Sequence, residues 1–374
     1  MSKKLLVLLS MAILSAMILA ACQPAAPAAE EAAPAAEEAA PAAEEAAPVA
    51  EEPAEKVYLA MAMHHNIPYV MQMKAGFEDF CKSVDDVTCE FSAPNQIDPE
   101  QSIAMFQNFV TKGAKGVIVN CVPADTWVEP IKTAVEETGV LVNSLDVACL
   151  KESNFNVQVG PLYYPQAQVF SKAFFDMLAK KGVTSGQVVF GYCAPGYESQ
   201  ESRNRAFLEE CEARGGYECI GSLDSGHAAD LNYAFWENIN TKYPDMVAGA
   251  GACAFDGPNL FKLKQQVGGD FWIGTYDLEP ETLEGLKSGD IIAAIGNNPH
   301  LNGYVAGKML YEHVKSGEPL MQGAVVDTAP EVVTFEDIDV FMEREASADA
   351  RLEYTTSLMD TVYTDIDSVI APMP

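Results

Sequence analysis

Short apolar runs alternate with amphipathic segments along this chain from residue 57 onward. The apolar runs have the length of β-strands and lie at 57–63, 87–93, 116–120, 141–145, 156–160, 187–192, 217–222, 246–251, 272–276 and 291–295. The segments between them carry apolar residues at helical spacing and lie at 69–82, 99–112, 127–138, 164–180, 202–214, 230–242, 259–267, 281–288 and 299–316. This alternation predicts parallel sheets with helices on both faces. Because ten strands are many for one open sheet, we predict two lobes.

A weak internal repeat supports the division into two lobes. The segment Ala75-Gly76-Phe77-Glu78-Asp79-Phe80-Cys81 leads through a turn to Cys89, and Arg205-Ala206-Phe207-Leu208-Glu209-Glu210-Cys211 leads likewise to Cys219. A helix, a turn and a strand therefore recur with the same cysteine spacing near the start of each half. Two such lobes place the carboxyl ends of their sheets across a cleft, where open parallel sheets bind ligands. A hinged cleft of this kind can close around a small molecule.

The N-terminal residues have a different composition. Lys3 and Lys4 precede an apolar run over 5–21, which is near the lower limit of about 17 residues for crossing a membrane. Small residues then lead to a cysteine in Leu19-Ala20-Ala21-Cys22, so residues 1–21 are predicted to be an export signal. The cysteine at this junction resembles the lipobox of bacterial lipoproteins. That resemblance implies a lipid anchor at Cys22, in the periplasm or on the outer face of the cell membrane; an ordinary secretory signal is the alternative.

A repetitive segment over 22–56 follows the signal. It contains three copies of Ala-Ala-Pro-Ala-Ala-Glu-Glu and a degraded fourth. Repeated charge and proline without large apolar residues cannot bury a core, so we predict a solvated, flexible linker. Roughly 320 residues remain after it, which suits two domains of ordinary size.

The charge of the chain limits the partners to be considered. The formal net charge is −31, and nine of the glutamates lie in the linker, between Glu30 and Glu55. This balance argues against nucleic-acid binding, which needs clustered Lys and Arg to replace phosphate counterions. An acidic surface favours a soluble monomer and says little about the ligand.

Eight cysteines remain beside Cys22, an even number for an oxidising compartment. We expect two disulfides across the short repeats, Cys81 with Cys89 and Cys211 with Cys219. The other four cysteines fall at predicted strand ends, and one pairing of them is Cys121 with Cys149 and Cys193 with Cys253. Buried free thiols are the alternative for all eight. A metal site is not expected, because no cysteine or histidine cluster has zinc-ligand spacing.

Known catalytic and cofactor motifs are missing from this sequence. It has no nucleophile elbow, zinc-protease motif, phosphate loop or dinucleotide fingerprint. We therefore expect neither an enzyme nor a bound cofactor, with an exported enzyme kept as a minor alternative.

Polar and aromatic residues instead follow several predicted strands. His64, Asn66 and Tyr69 follow the first strand, and one carboxylate follows each of two later strands, Asp146 and Asp277. A carboxylate can accept two hydroxyl hydrogen bonds, which suits sugars and polyols. Each of these residues alone could also be a helix cap. Because the two aspartates stand at equivalent points of facing lobes, we favour a binding role for them.

Six short motifs occur in a fixed order along the body of the chain: Asn66-Ile67-Pro68-Tyr69, Leu145-Asp146, Arg203-Asn204-Arg205-Ala206-Phe207, Tyr243-Pro244-Asp245, Gly274-Thr275-Tyr276-Asp277-Leu278 and Asn297-Asn298-Pro299-His300-Leu301-Asn302-Gly303-Tyr304. Together they resemble the ribose-binding family of periplasmic (type I) solute-binding proteins, the receptors of ABC sugar importers. The resemblance covers 57 to about 317. It implies two doubly wound parallel-sheet lobes joined by a three-stranded hinge.

The resemblance also implies a set of ligand contacts. They fall on Tyr69, Asp146, Arg203, Asp277 and Asn297, with His64 and Asn66 as additions at the same cleft mouth. Arg203 by itself would be taken for a surface arginine.

Departures from the family pattern make ribose doubtful as the ligand. Val70 and Val147 stand where the family has an aromatic residue and an arginine, and His227 replaces the aromatic residue at the second lobe's entrance. Phe255-Asp256 stands where the family often has Asn-Asp, or Cys253 does if the alignment slips by two. Another pentose, a hexose, a polyol, a nucleoside or a furanose-like signal molecule is expected.

The family pattern predicts the lobe boundaries. The first lobe comprises 57–160 and 298–328, and the second comprises 161–297 and 329–345. An extension over 346–374 exceeds the usual family length, and we expect it to pack across the hinge. The predicted function is a lipid-anchored receptor that captures a sugar-like ligand and delivers it to an ABC permease. The alternative is a sensor that presents its ligand to a chemoreceptor or sensor kinase. A sugar-responsive repressor is not expected, because the predicted export signal and acidic linker occupy the place where such a repressor has a basic helix-turn-helix.

Overall fold

Two mostly parallel sheets carry the fold, one in each lobe. The computed structural model describes residues 56–328 and 331–373. The strands of these residues are β1 Val57–Ala62, β2 Val87–Ser92, β3 Gly116–Val119, β4 Leu141–Leu145, β5 Val157–Val159, β6 Gly186–Tyr192, β7 Tyr217–Asp224, β8 Met246–Gly251, β9 Trp272–Tyr276, β10 Ile291–Gly296, β11 Ala324–Val326, β12 Glu331–Val333 and β13 Ala371–Pro372. The predicted α/β fold with two lobes is confirmed.

The two sheets share one strand order. It is β13-β11-β5-β4-β3-β1-β2 in the first lobe and β12-β10-β9-β8-β6-β7 in the second. Pairing is parallel except for β13 on β11 and β12 on β10. The runs β2-β1-β3-β4-β5 and β7-β6-β8-β9-β10 are therefore the same doubly wound arrangement used twice, as the internal repeat predicts.

Helices cover both faces of each sheet. They are α1 Pro68–Lys82, α2 Pro99–Thr111, α3 Val128–Thr138, α4 Tyr163–Lys180, α5 Glu198–Arg214, α6 Ala229–Lys242, α7 Asp256–Val267, α8 Pro280–Ser288, α9 Pro299–Ser316, α10 Ile338–Glu345 and α11 Ala348–Thr361. Four of them begin with proline, whose missing N–H costs nothing in the first turn. Helix α5 begins four residues before its predicted start, because the polar first turn with Glu198 and Glu201 carries no apolar periodicity.

Each sheet is buried on both faces. In β1, Leu59 and Met61 enter the cluster beneath α1 and α9, whereas Ala60 and Ala62 enter the cluster beneath α2 and α3; none of the four is exposed. This is why the strands read as continuous apolar runs rather than as alternating ones.

A close helix contact explains the glycine in the motif that opens α9. A Cβ atom at Gly303 would collide with the backbone carbonyl of Met73, and one at Gly76 would collide with that of His300. The backbones of α1 and α9 therefore touch, and only glycine fits at these two points.

The chain passes between the lobes four times. It crosses between β5 and α4, between β10 and α9, between β11 and β12, and between α10 and α11. Helix α10 packs on α8 in the second lobe, and α11 packs on α9 in the first. The fourth crossing comes in addition to the three that the family resemblance implies. The described part of the C-terminal extension packs on α9 and extends the first lobe's sheet through β13. Tyr354 and Arg351 on α11 also donate to Glu331 and Glu345 of the second lobe, in line with the expected packing across the hinge.

Four disulfides connect the cysteines of the described residues. Two of them, Cys81–Cys89 and Cys211–Cys219, join the end of a helix to the next strand at equivalent places in the two lobes. The other two, Cys121–Cys149 and Cys193–Cys253, join loops at the carboxyl ends of strands. The proposed lipid-bearing Cys22, the export signal and the linker lie outside the described residues.

Candidate functional site

A cavity of about 670 Å³ lies between the lobes at the carboxyl ends of the strands. Both lobes contribute to its wall through the loops after β1, β4, β6, β8 and β9. This volume falls within the range of about 300–1,000 Å³ that is usual for small-molecule sites.

Asp146 provides a carboxylate from the first lobe. It directly follows β4, and its Oδ1 accepts a hydrogen bond from the Tyr69 hydroxyl at 3.2 Å. The Tyr163 hydroxyl donates to its backbone carbonyl at 2.5 Å. Burial raises the pKa of Asp146 to about 6, although the Arg203 guanidinium and the Tyr69 hydroxyl act in the opposite direction. The carboxylate is therefore ionised at neutral pH but close to titrating.

Asp277 provides the matching carboxylate from the second lobe. It follows β9, and its Oδ1 accepts a hydrogen bond from the Asn297 amide at 2.6 Å. Burial raises the pKa of Asp277 above its usual range, and Arg203 again opposes this. The amide of Gln166 donates in turn to Asn297 Oδ1 at 2.7 Å, so a chain of two amides holds the carboxylate from behind.

Arg203 lies close to both carboxylates. Its guanidinium is buried and packs over the Tyr276 ring at 4.2 Å from the centroid. Nη1 donates to the Ala252 carbonyl at 2.8 Å, and Nη2 approaches Gln166 Oε1 at 3.5 Å. Within the described part of the chain, its Nε has no hydrogen-bond partner. Stacking and these bonds fix the guanidinium plane at the cavity wall.

Imidazoles line another part of the cavity. His64 and His65 follow β1 with ring centroids 6.3 Å apart, and His227 lies on the facing loop before α6. Burial lowers the pKa of His64 to about 4, and the charges of His65 and His227 act in the same direction. His64 is therefore neutral at pH 7. Its Nδ1 is buried with no partner among residues 56–328 and 331–373.

The cavity brings together seven of the ten residues singled out from the sequence. These are His64, Tyr69, Asp146, Arg203, His227, Phe255 and Asp277. The aspartates and Arg203 come from separate strands and helices, so only the tertiary structure makes them neighbours.

Three of the predicted residues, Asn66, Asp256 and Asn297, do not line this cavity, and a binding role for them stays a prediction. Asn66 is exposed, and its N–H donates to the Pro94 carbonyl. Asn297 lies behind Asp277 and uses its amide on protein groups.

Asp256 is fully buried beneath the cavity wall. Its carboxylate accepts hydrogen bonds from Asn232 at 2.7 Å, Trp236 Nε1 at 2.9 Å and the Cys253 N–H at 2.8 Å. Because these donors come from the protein itself, Asp256 anchors the turn before α7.

Several residues that line the cavity were not predicted from the sequence. Tyr163 stands at the first crossing between lobes, where the available signal was a Tyr-Tyr pair whose second member, Tyr164, opens the predicted helix. The Cys193–Cys253 disulfide also lines the cavity, and its two cysteines follow β6 and β8. The sequence offered this pairing, and Cys253 as the alternative to Phe255-Asp256, without placing the disulfide in the cavity wall. Tyr197 lies in the turn between β6 and α5, and Gln200 lies in the first turn of α5; no pattern in the sequence indicated that either lines the cavity.

No set of three or more His, Cys, Asp or Glu side chains among the described residues could hold a metal ion. None of the helices in that part of the chain is both long and apolar enough to cross a membrane.

Comparisons with known proteins agree with this architecture. A family profile described as "Periplasmic binding protein domain" matches residues 58–319. The D-allose-binding periplasmic protein of Escherichia coli (strain K12) is 23% identical over 272 residues, covering 71% of this chain and 85% of that protein.

Solved structures show the same fold. An ABC transporter solute-binding protein from Burkholderia graminis C4D1M, in complex with D-arabinose, superposes with a TM-score of 0.69 at 16% identity, covering 77% of this chain and 98% of that one. An ABC transporter periplasmic solute-binding protein from Actinobacillus succinogenes 130z, with bound D-allose, superposes with a TM-score of 0.68 at 19% identity. The superposition covers 76% of this chain and 99% of that one. With a profile match over most of its length and this two-lobed fold, the chain belongs to the periplasmic binding protein family.

Proposed function

We propose that this protein captures a sugar between its lobes and delivers it to an ABC importer. The observation that carries the proposal is the convergence of Asp146, Arg203 and Asp277 on one interlobe cavity. Relatives of similar fold are named for D-allose or hold D-arabinose, which points to the same ligand class.

The chemistry of these groups suits a polyhydroxylated ring. Two carboxylates accept hydrogen bonds from hydroxyl groups, and the guanidinium of Arg203 donates to a ring or hydroxyl oxygen. The rings of Tyr69 and Tyr163 offer apolar faces for the ring carbons. Lobe closure exchanges water for these bonds, so the closed state is favoured when the ligand is present. No catalytic step is proposed.

The part of the chain before residue 57 supports a tethered receptor. An acylated Cys22 would hold the protein at a membrane while the linker lets the body reach a permease. We propose that the protein is a monomer. Its first lobe comprises 57–160 and 298–328, its second lobe comprises 161–297 and 329–345, and the extension 346–374 follows.

A thermal-shift panel of pentoses, hexoses, polyols and nucleosides tests the proposal on purified protein freed of co-purified ligand. A ligand that binds only the folded state adds about 2.7 kcal/mol at a hundred times its dissociation constant. At least one sugar is expected to raise the melting temperature. A panel in which no compound does so would contradict sugar capture.

A further inference from the structure

Gln166 is a buried residue that supports a carboxylate of the cavity without lining the cavity itself. It is 3% exposed in the first turn of α4, which follows the first crossing between the lobes. Its Nε2 donates to Asn297 Oδ1 at 2.7 Å, and Asn297 Nδ2 donates to Asp277 Oδ1 at 2.6 Å. Of these three residues, here called the amide relay, Asp277 alone lines the interlobe cavity. The amide relay thus leads from the start of a helix to the candidate binding site.

The chemistry at its two ends fixes the direction of the amide relay. An ionised carboxylate only accepts hydrogen bonds, so Asn297 must turn its Nδ2 toward Asp277 and its Oδ1 away from it. Gln166 must then donate with its Nε2, and its Oε1 faces Arg203 Nη2 at 3.5 Å. A guanidinium only donates, so this end agrees with the other. Neither amide can therefore be reversed alone.

Asn297 is held at its backbone as well as at its side chain. It directly follows β10, and its carbonyl accepts a hydrogen bond from Arg344 Nη2 at 3.1 Å. Arg344 is buried and belongs to α10, so a second helix fixes the position of this residue. With the backbone held by Arg344 and the amide oxygen by Gln166, the amide nitrogen is directed toward Asp277.

The first turn of α4 also contacts the aspartate of the first lobe. Tyr163, three residues before Gln166, donates its hydroxyl to the Asp146 carbonyl at 2.5 Å. Residues three apart lie on the same side of a helix. Hydrogen bonds thus link this one turn to Asp146 directly and to Asp277 through Asn297.

We propose that Gln166 is a positioning residue for ligand binding. Through Asn297 it holds the Asp277 carboxylate in the orientation that accepts a hydrogen bond from a sugar hydroxyl. A buried amide can do this because a fully bonded polar network keeps its members in place, whereas the loss of one member leaves a buried group unsatisfied. This inference rests on the proposed function and adds a residue to its site.

Calorimetry on the purified full-length protein tests the effect on affinity. The probe is the sugar that binds most tightly among D-ribose, D-arabinose, D-xylose, D-glucose, D-galactose and D-allose. Gln166→Met removes the donor at similar volume and is expected to weaken binding about threefold to tenfold, the net value of one buried hydrogen bond. Gln168→Met is the matched control, because Gln168 lies on the same helix, is exposed and does not line the cavity. It should change the affinity less than about twofold.

A reversal of the amide relay separates its hydrogen bonding from the packing of Gln166. Gln166→Glu places an acceptor where the relay needs a donor, so Asn297 cannot donate to both carboxylates at once. In an Asp277→Asn background, the new amide can donate to Asn297, which then turns to donate to the introduced carboxylate. We expect Gln166→Glu to lower the folding equilibrium constant about tenfold to a hundredfold in the parent, but less than about threefold in this background. Urea unfolding of the ligand-free protein measures both effects.

Direct repulsion between two carboxylates would also couple these substitutions, but it does not need Asn297. The same pair is therefore compared in an Asn297→Leu background. There the effects of Gln166→Glu with and without Asp277→Asn are expected to differ by less than about threefold. A difference as large as in the presence of Asn297 would assign the coupling to charge and overturn the inference.

The outcomes distinguish this inference from the proposed function. Coupling that depends on Asn297, together with an affinity loss in Gln166→Met that Gln168→Met does not show, supports the inference. Equal costs of Gln166→Glu in the parent and in Asp277→Asn, or the parent's affinity in Gln166→Met, would overturn it and leave sugar capture standing. If no sugar binds the parent protein, both proposals are overturned.

Discussion

Asp146 and Asp277 occupy the same structural position in the two lobes. Each directly follows the fourth strand of its doubly wound unit, with left-handed backbone φ angles of 66° and 67°. The Asp146 N–H donates to Val159 on β5 at 2.9 Å, and the Asp277 N–H donates to Ile295 on β10 at 3.0 Å. The repeated unit thus turns both carboxylates into the interlobe cavity by the same backbone bend.

Replacing either aspartate tests their role as hydroxyl acceptors. Asp146→Asn and Asp277→Asn are each expected to weaken sugar binding about tenfold to a hundredfold, because a charged acceptor is lost. Asparagine is the suitable replacement, since it tolerates the left-handed conformation that alanine does not. Asp224→Asn is the control: it also ends a strand, β7, but is exposed and outside the cavity. Calorimetric affinities equal to the parent's for both cavity variants would contradict the assignment.

Sugar affinity is expected to fall on acidification. The pKa of Asp146 is about 6, and protonation removes the charge that accepts hydroxyl hydrogen bonds. Affinity should therefore decline as pH falls through about 6, measured by calorimetry between about pH 5 and about pH 8. Asp277 also has a raised pKa and reinforces the decline, while Arg203 stays charged throughout. An affinity that is flat across this range would show that neither carboxylate must be ionised.

The stability of the ligand-free protein is expected to fall as pH rises through the pKa of Asp146, whereas sugar affinity rises. A carboxyl group with a raised pKa in the folded state contributes stability that is fully present below its unfolded pKa. This contribution is lost as pH rises through the folded value of about 6. Asp146→Asn should therefore stabilise the ligand-free protein more at pH about 8 than at pH about 4, as equilibrium urea unfolding can measure.

The disulfides allow stability and binding to be separated. Removing Cys81–Cys89 or Cys193–Cys253 by paired serine substitutions should each lower the free energy of unfolding by about 2–4 kcal/mol. Only the second pair lines the cavity, so only its removal should also weaken sugar binding. Denaturant titration and calorimetry on the same samples check both parts. Equal losses of affinity in the two variants would assign the binding effect to general destabilisation.

Arg344 ties the C-terminal segment to the crossing between β10 and α9. It is 3% exposed, and it donates to the Asn297 carbonyl at 3.1 Å and to Glu345 at 2.7 Å. Arg344→Met is expected to cost about 3 kcal/mol of stability, because buried acceptors lose their charged donor. Arg351→Met is the matched control. Its side chain is 25% exposed and contacts the same glutamate, and its loss should cost less than about 1 kcal/mol in urea unfolding.

The proposed lipid anchor at Cys22 is tested by substitution of the cysteine. Cys22→Ala should abolish incorporation of labelled palmitate and move the protein from the membrane fraction to the soluble fraction of a bacterial host. The variant Cys81→Ala with Cys89→Ala serves as the control for the loss of other cysteines. Retention of the label in Cys22→Ala would refute the lipoprotein assignment and favour an ordinary secretory signal.

Much of the site could be named before the structure because of one rule of parallel sheets. Residues that directly follow a strand face the cleft, and Asp146 and Asp277, predicted by this rule, both line the cavity. The rule does not say which neighbouring side chains use their polar groups inside the protein. Asp256 looks like a ligand residue in sequence, yet Asn232 and Trp236 on α6 already donate to it.

The sequence by itself determined the alternation of strands and helices, the two repeated lobes, and the strand ends that carry polar residues. These features depend on local periodicity and on turn residues, which act over a few positions. Tertiary structure alone decided that Asn297 supports Asp277, that Arg203 stacks on Tyr276, and that both lobes contribute residues to one cavity. Such contacts join residues far apart in the chain, and their direction depends on packing between elements rather than on any local pattern.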